Sequence, residues 1–456
     1  MTKEELMYEK KTVYKKGGQK LVDAAYEYAK GYMRYLDAGK TERESLNVSV
    51  EMCKKAGYRE YRLGDKIQAG DKIYYNNRGR NLFAISVGTA PINEGIRITA
   101  AHVDAPRIDL KQCPLYEDGG MAFFKTHYYG GIRKYQWVAT PLSLHGVIAK
   151  KDGTYVEVNV GEDENDPVFY INDLLPHLGY DQAKLPLSEG IKGEQLNILI
   201  GSIPDAEDNS ITYQIMKLLN EKYGITEEDF LSSELSVVPA AKARDVGFDR
   251  SLIGAYGHDD RVCAYPILTA LLDSEDTAHT KMCILADKEE TGSDGPTGMQ
   301  ADLILDLIRE LANNLGGNEA VVRANSKCLS ADVSAAYDPN FPEVFEKRNT
   351  PLLACGAVFT KFTGSRGKAG TNDATAEYLG WLRSVLDRDG VIWQAGELGK
   401  VDCGGGGTVA KYISKHNIDT VDLGVPVIAM HAPFEVVAKV DVYETYRATA
   451  AFYKYD

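Results

Sequence analysis

Four short apolar runs in this chain each lead to a histidine or a carboxylate. Ile96-Arg97-Ile98-Thr99-Ala100-Ala101 runs into His102, and Met282 to Ala286 into Asp287-Lys288-Glu289-Glu290. Ser326 to Ala331 runs into Asp332, and Val425 to Met430 into His431. Short apolar runs bounded by polar turns read as buried strands. In an open α/β sheet the chemistry sits beyond the carboxyl ends of the strands. Random charges scatter along elements, whereas these gather at ends. The pattern therefore predicts an α/β sheet with a polar site at one edge. A fifth polar position belongs with them: Gly257-His258-Asp259-Asp260-Arg261 precedes an apolar helical run from Val262 to Leu271. Two Asp at a helix start are ordinary N-terminal chemistry, so Asp259 gains weight only from its company.

Each piece is weak alone. Glu289-Glu290 by itself reads more readily as a solvated charge cluster capping a strand. If the chain stays extended there, the two carboxylates point to opposite sides, one toward a metal and one toward a proton. His102 and Asp104 share a face at strand period, and an imidazole ligand commonly has a carboxylate holding its other nitrogen. His-x-Asp equally describes a surface His beside a turn Asp. Together, two His and three carboxylates form a mixed N/O donor set suited first to zinc, with cobalt or manganese as alternatives. Five donors are one too many for a tetrahedral ion. They suit two ions about 3.5–4 Å apart that share one carboxylate, as in dinuclear hydrolases.

The remaining segments supply the frame. Residues 17–57 read as two helices, the second with Thr41 as N-cap, Glu44 in capping-box position and Gly57 at its end. Lys72 to Tyr75 and Asn81 to Val87 form a hairpin across Asn76-Asn77-Arg78-Gly79. From 108 to 245 short strands alternate with Gly and Asp turns, the texture of an antiparallel β unit inserted into a main domain of residues 1–107 and 246–456. Helices are expected at 211–222, 226–233, 300–313, 372–386, 408–415 and from Asp441. Gly404-Gly405-Gly406-Gly407 lacks any phosphate-loop context and signals a close backbone approach.

Composition excludes several classes. A net charge of −14 argues against a nucleic-acid surface, which needs a Lys/Arg excess. No stretch approaches the roughly 18 apolar residues of a membrane helix, and the charged start lacks a signal-peptide core. The seven cysteines are scattered, without a CxxC pair. They suggest no disulfide framework or Cys-type zinc site and point to a reducing cytoplasm.

Five segments in order resemble the M18 family of metallo-aminopeptidases, which includes aspartyl aminopeptidase. They are Ala101-His102-Val103-Asp104-Ala105-Pro106, His258-Asp259-Asp260, Asp287 to Ser293, Ser330-Ala331-Asp332 with Asp338-Pro339-Asn340, and Met430-His431 with Glu435. The resemblance implies a mixed-sheet α/β/α catalytic domain with an inserted, mainly β dimerisation domain. It implies two divalent ions, with Asp259 bridging, His102 and Asp332 on one ion, and Glu290 and His431 on the other. By the same match Asp104 orients His102, Glu289 is the general base, and His177 reaches a neighbouring active site. It further implies peptide substrates and a homo-oligomer, a dodecamer built from dimers.

Specificity is less determined. An acidic first residue needs a cationic pocket, for which Lys361, Arg366 and Lys368 are candidates; Lys361 matches a substrate-contacting lysine of the family. Where many members carry a tyrosine that steadies the oxyanion, this chain has Ala369. Other readings stay open: an aminopeptidase preferring neutral residues, a deacylase or carboxypeptidase with the same metal centre, and a non-catalytic assembly protein.

Overall fold

The computed structural model describes residues 1–275 and 278–455. The chain divides into two compact units. The first comprises residues 1–104, 243–430 and 435–456, and the second residues 105–242 and 431–434.

The first unit is built on a mixed nine-stranded sheet. Four parallel strands lie side by side at its centre, in the order Thr280–Ala286, Ile96–His102, Lys327–Ser330 and Asp419–Gly424. Antiparallel neighbours extend both sides, Asn81–Ser86 with Lys72–Asn77 on one and Ala357–Thr360 on the other. Central strands are buried on both faces, and the two-residue period decides which side chain meets which helix. Ile96, Ile98, Ala100, Met282, Ile284 and Ala286 pack with Ile304, Leu307, Ile308 and Leu311 of the helix Leu303–Asn314. Ala101, Cys283, Leu285 and Leu329 face the other way. They pack with Tyr32 and Leu36 of Gly18–Ala38, with Val262 and Ile267 of His258–Leu272, and with Phe452 of Lys439–Lys454. Helices therefore cover both faces, as the expected α/β/α class requires.

Strand register places the polar ends at one level. Ala286 pairs with His102 and Ser330 with Ala100, so the chain segments carrying Glu289, His102 and Asp332 leave the sheet together. A one-residue slip would turn every one of these side chains to the opposite face. A smaller sheet of five strands, which includes Leu252–Ala255, Glu435–Ala438 and Pro426–Ile428, completes this unit.

The second unit is a seven-stranded sheet whose pairings are all antiparallel, centred on Ser233–Pro239, Arg107–Asp118 and Met121–Tyr129. It also carries the helix Ile211–Tyr223. Among the described residues no helix is long and apolar enough to cross a membrane.

Several elements differ from expectation at their ends. Residues 226–233 form a 3₁₀ turn, Glu227–Ser232, because Ser233 already begins a central strand. The run from Val425 to Met430 keeps only Pro426–Ile428 as strand, since Ala429 and His431 both take positive φ. The helix expected from 372 begins at Ala376, capped by Thr375, whose Oγ1 accepts the Tyr378 amide at 3.3 Å. The helix near 408–415 shortens to Ala410–Ser414. The capping box forms as read: the Glu44 amide donates to Thr41 Oγ1 at 3.3 Å, and the Thr41 amide to Glu44 Oε2 at 3.0 Å.

Thermal unfolding with calorimetric ΔH separates core from cap. Ile98→Ala, at a fully buried position, is expected to cost about 3 kcal/mol, and Thr41→Ala about 1 kcal/mol. Equal losses would contradict the placement of Ile98 between sheet and helix.

Candidate metal centre

His102 ends its strand and is buried. Its Nδ1 lies 2.9 Å from the main-chain carbonyl of Asp104. A carbonyl can only accept, so Nδ1 carries the proton and the neutral ring keeps its lone pair on Nε2. The Asp104 carboxylate stands slightly farther from Nδ1, at 3.3 Å. The ring is thus oriented chiefly by the backbone of Asp104, with the carboxylate second. The His102 amide donates to Asp260 Oδ2 at 3.3 Å.

That leaves the Asp104 carboxylate for another task. Its Oδ1 accepts the amide of Glu289 and its Oδ2 the amide of Glu290, both at 3.2 Å. The strand does not continue extended past Ala286. Lys288 takes φ +66°, Glu289–Thr291 forms a 3₁₀ turn, and Gly292 follows at φ +99°. The opposite-sides geometry of an extended pair is replaced by a turn clamped on one carboxylate. Asp287 anchors the approach: Arg80 Nε donates to its Oδ2 at 2.9 Å and Thr297 Oγ1 at 2.7 Å.

Among the described residues of the first unit, two groups of donors result. His102, Glu289 and Glu290 each present one ligand atom within 4.8 Å of the others, and so do His102, Asp259 and Asp332. Asp259 Oδ1 is 3.2 Å from His102 Nε2, and Glu289 Oε2 is 3.9 Å from it. Asp259 sits where the His258–Leu272 segment departs from helical geometry, and its amide donates to Glu435 Oε2 at 3.1 Å. Sequence reasoning gave Asp260 and Glu435 no role, yet they hold His102 and Asp259 by their backbones. Nothing local marks such anchors, because their partners are distant in the chain. His258 is buried and neutral, held by Tyr32 Oη at 2.6 Å and pushed down to about 3 by burial.

His431 follows Met430 directly, in the short segment grouped with the second unit. Its Nδ1 donates to the Gly131 carbonyl at 2.8 Å, which again leaves the lone pair on Nε2. His177 lies exposed in the second unit, between Tyr170–Ile171 and Gln182–Lys184. Asp373 changes the expected cationic pocket. Asp373 holds Lys361 on one oxygen and Lys368 on the other, at 2.9 Å for Lys368. Arg366 is exposed and lines a cavity with residues 397–402.

The donor set fits a divalent cation. His102 Nε2 is buried with no hydrogen bond, and its lone pair faces a carboxylate oxygen. That arrangement is repulsive unless a cation or a proton stands between them. Without the cation, protons take that place. Burial disfavours a charged His102, but the adjacent Asp104 and Asp259 outweigh it and hold the ring well above its ordinary pKa. Burial, then the charge of Asp260, pushes the Asp332 carboxyl up; burial does the same to Asp260, with Asp259 adding to it.

Comparison with known proteins gives concordant results. The profile of the family described as Aminopeptidase I zinc metalloprotease (M18) matches residues 35–453. A probable M18 family aminopeptidase 1 from Clostridium acetobutylicum is 48% identical over 459 residues, covering 98% of this chain and 99% of the relative. The crystal structure of an M18-family aminopeptidase from Thermotoga maritima superimposes with a TM-score of 0.93 at 42% identity, covering 98% of this chain and all of that one. The dodecamer structure of mApe1 from S. cerevisiae shares the fold, with a TM-score of 0.76 at 21% identity, covering 95% of this chain and 97% of that one.

A cation needs the neutral ring and charged carboxylates, so binding must expel the protons held in its absence. Raising the pH removes the competitor. Zinc affinity is expected to rise with pH through and beyond the ordinary imidazole range, because the ring is held well above its usual pKa, and calorimetry in buffers of different ionisation enthalpy is expected to show proton release. A pH-independent affinity would contradict the arrangement. Asp104→Asn keeps the carbonyl but loses the charge and one amide contact, and is expected to weaken zinc binding by about 10- to 100-fold.

Proposed function

The chain belongs to the M18 family and is a metallo-aminopeptidase; from that premise we propose that it removes the first residue of peptides at a two-ion centre with Glu289 as general base. Asp259 would be the shared ligand, with His102 and Asp332 holding one ion and Glu290 and His431 the other. Zinc is the natural occupant for a mixed N/O set, with cobalt or manganese as substitutes. The observation that supports this reading is the group of His102, Asp259 and Asp332 gathered at the orphaned Nε2 of His102.

When bound, divalent ions supply Lewis acidity, polarising a carbonyl and acidifying water. The protein's own groups do the rest. Glu289 accepts a proton from the attacking water and returns it to the nitrogen of the departing peptide. Water adds to the carbonyl carbon, the C–N bond breaks, and an amino acid and a shortened peptide leave. Asp104 steadies the base by holding its amide, and holds His102 by its carbonyl. The neutral tautomer of each histidine ligand is set by a main-chain carbonyl.

For the first residue of the substrate, the pairing of Lys361 and Lys368 with Asp373 favours a neutral side chain over an acidic one. Neither ammonium is left unpaired to meet a substrate carboxylate. We assign subunit pairing to the inserted 108–245 region, with His177 at a neighbouring site, and a dodecamer as the assembly; the mApe1 structure, a dodecamer of the same fold, supports the last of these. A cytoplasmic location is supported by seven free cysteines.

Glu289→Gln is expected to lower turnover by about a thousandfold while zinc content, read by atomic absorption, is retained. Loss of zinc instead would reverse the roles of Glu289 and Glu290. Leu-p-nitroanilide is expected to be hydrolysed faster than the Asp and Glu substrates, and N-acetylated peptides not at all. Asp373→Asn, which frees both lysines, is expected to move the ratio toward Asp. Faster cleavage of Asp substrates by the unaltered protein would overturn the neutral preference, and cleavage of blocked peptides alone would replace aminopeptidase by deacylase.

A further inference from the structure

A cavity of about 330 Å³ opens beside Glu289, walled by Gly364, Gly406, Gly407, Lys411 and Tyr412 among others. Its glycine wall is compact because two loops approach backbone to backbone. The Gly364 amide donates to the Gly406 carbonyl at 2.6 Å. A Cβ at Gly405 would stand 2.1 Å from the Gly364 carbonyl oxygen. This is the close approach the run of four glycines signals. Two side-chain bonds fix the short helix that follows. Thr408 Oγ1 donates to Asp422 Oδ1 at 2.6 Å, and Tyr412 Oη donates to the Gly292 carbonyl at 3.1 Å. The second bond ties this helix to the turn that carries Glu289.

Lys411 is the cation of this cavity. Its stem runs along Gly407, where Cδ would be 3.8 Å from a Cβ at that position. Among the described residues no carboxylate forms an ion pair with its ammonium. Lys361 and Lys368, by contrast, are both spent on Asp373. The base that borders the cavity is the group that returns a proton to the departing nitrogen. The cavity therefore lies on the leaving side of the scissile bond. It holds one positive charge without an ion-pair partner.

We propose that Lys411 is a specificity-determining residue that pairs with the carboxylate of the leaving residue, which makes dipeptides preferred substrates. The inference rests on the aminopeptidase reading with Glu289 as base. An ammonium–carboxylate pair at a partly exposed site contributes about 1 kcal/mol, or roughly fivefold in kcat/KM.

Zinc-loaded protein is assayed with Leu-Gly, Leu-Gly-NH₂ and Leu-Asp-NH₂, and each variant is judged by its own ratio of acid to amide. The unaltered protein is expected to favour Leu-Gly over Leu-Gly-NH₂ by roughly fivefold, mainly through KM. In Lys411→Met the ratio falls to about one, and in Lys411→Arg most of it remains. Leu-Asp-NH₂ identifies the carboxylate read: it matches Leu-Gly-NH₂ if only the α-carboxylate is recognised, and exceeds it if a side-chain carboxylate serves as well. A ratio of one in the unaltered protein, or a ratio that survives Lys411→Met, overturns the assignment to Lys411. Failure to cleave any of the three would instead remove the aminopeptidase reading beneath it.

Discussion

Asp104 is the residue on which the site's geometry depends. Its carbonyl orients His102, and its two carboxylate oxygens hold the amides of Glu289 and Glu290. One buried side chain thus couples the ends of two adjacent parallel strands. The pairing of Ala286 with His102 makes that span possible. Placing an anion across two backbone amides compensates its burial with charge-assisted bonds. The same bonds impose the 3₁₀ turn that an extended strand would not make. Proton transfer requires a base held to within a few tenths of an ångström, and a flexible pair of glutamates could not provide that.

The second constraint is charge. Asp259, Asp260, Asp332 and Glu289 crowd around one imidazole in a setting that excludes most water. Such a cluster is unfavourable by itself. In the absence of a cation it resolves the conflict with protons, on His102 and on the buried carboxyls. A divalent ion resolves it more completely and in a fixed geometry. The cluster is thus poorly suited to being merely structural: stability alone would be better served by apolar residues of similar volume.

What could be read in the sequence was whatever has a local cause. The apolar runs leading to His102, Glu289 and Asp332 revealed buried strands because burial on both faces leaves a continuous apolar stretch. The Thr41–Glu44 box was legible because all its partners lie within one turn. The four glycines signalled a close approach because only glycine tolerates one. The failures share a different cause. The turn at Glu289 is dictated by Asp104, far away in the chain. The early end of the 426–428 strand comes with positive φ at Ala429 and His431, residue types that carry no such signal. Asp373 quenches two lysines that looked free as a sequence pattern, because ion pairing is set by side-chain reach and not by residue order. Asp260 and Glu435 act through main-chain amides, and a carboxylate in sequence does not reveal which amide it will meet.

The division of labour we propose for two adjacent glutamates, Glu290 binding an ion and Glu289 carrying a proton, is the central claim. Anomalous diffraction at the zinc edge from zinc-loaded crystals tests it most directly. Two peaks per chain, about 3.5–4 Å apart, are expected, with Asp259 between them, Glu290 and His431 on one, and Glu289 in contact with neither. A single peak, or coordination by Glu289 with Glu290 free, would contradict it.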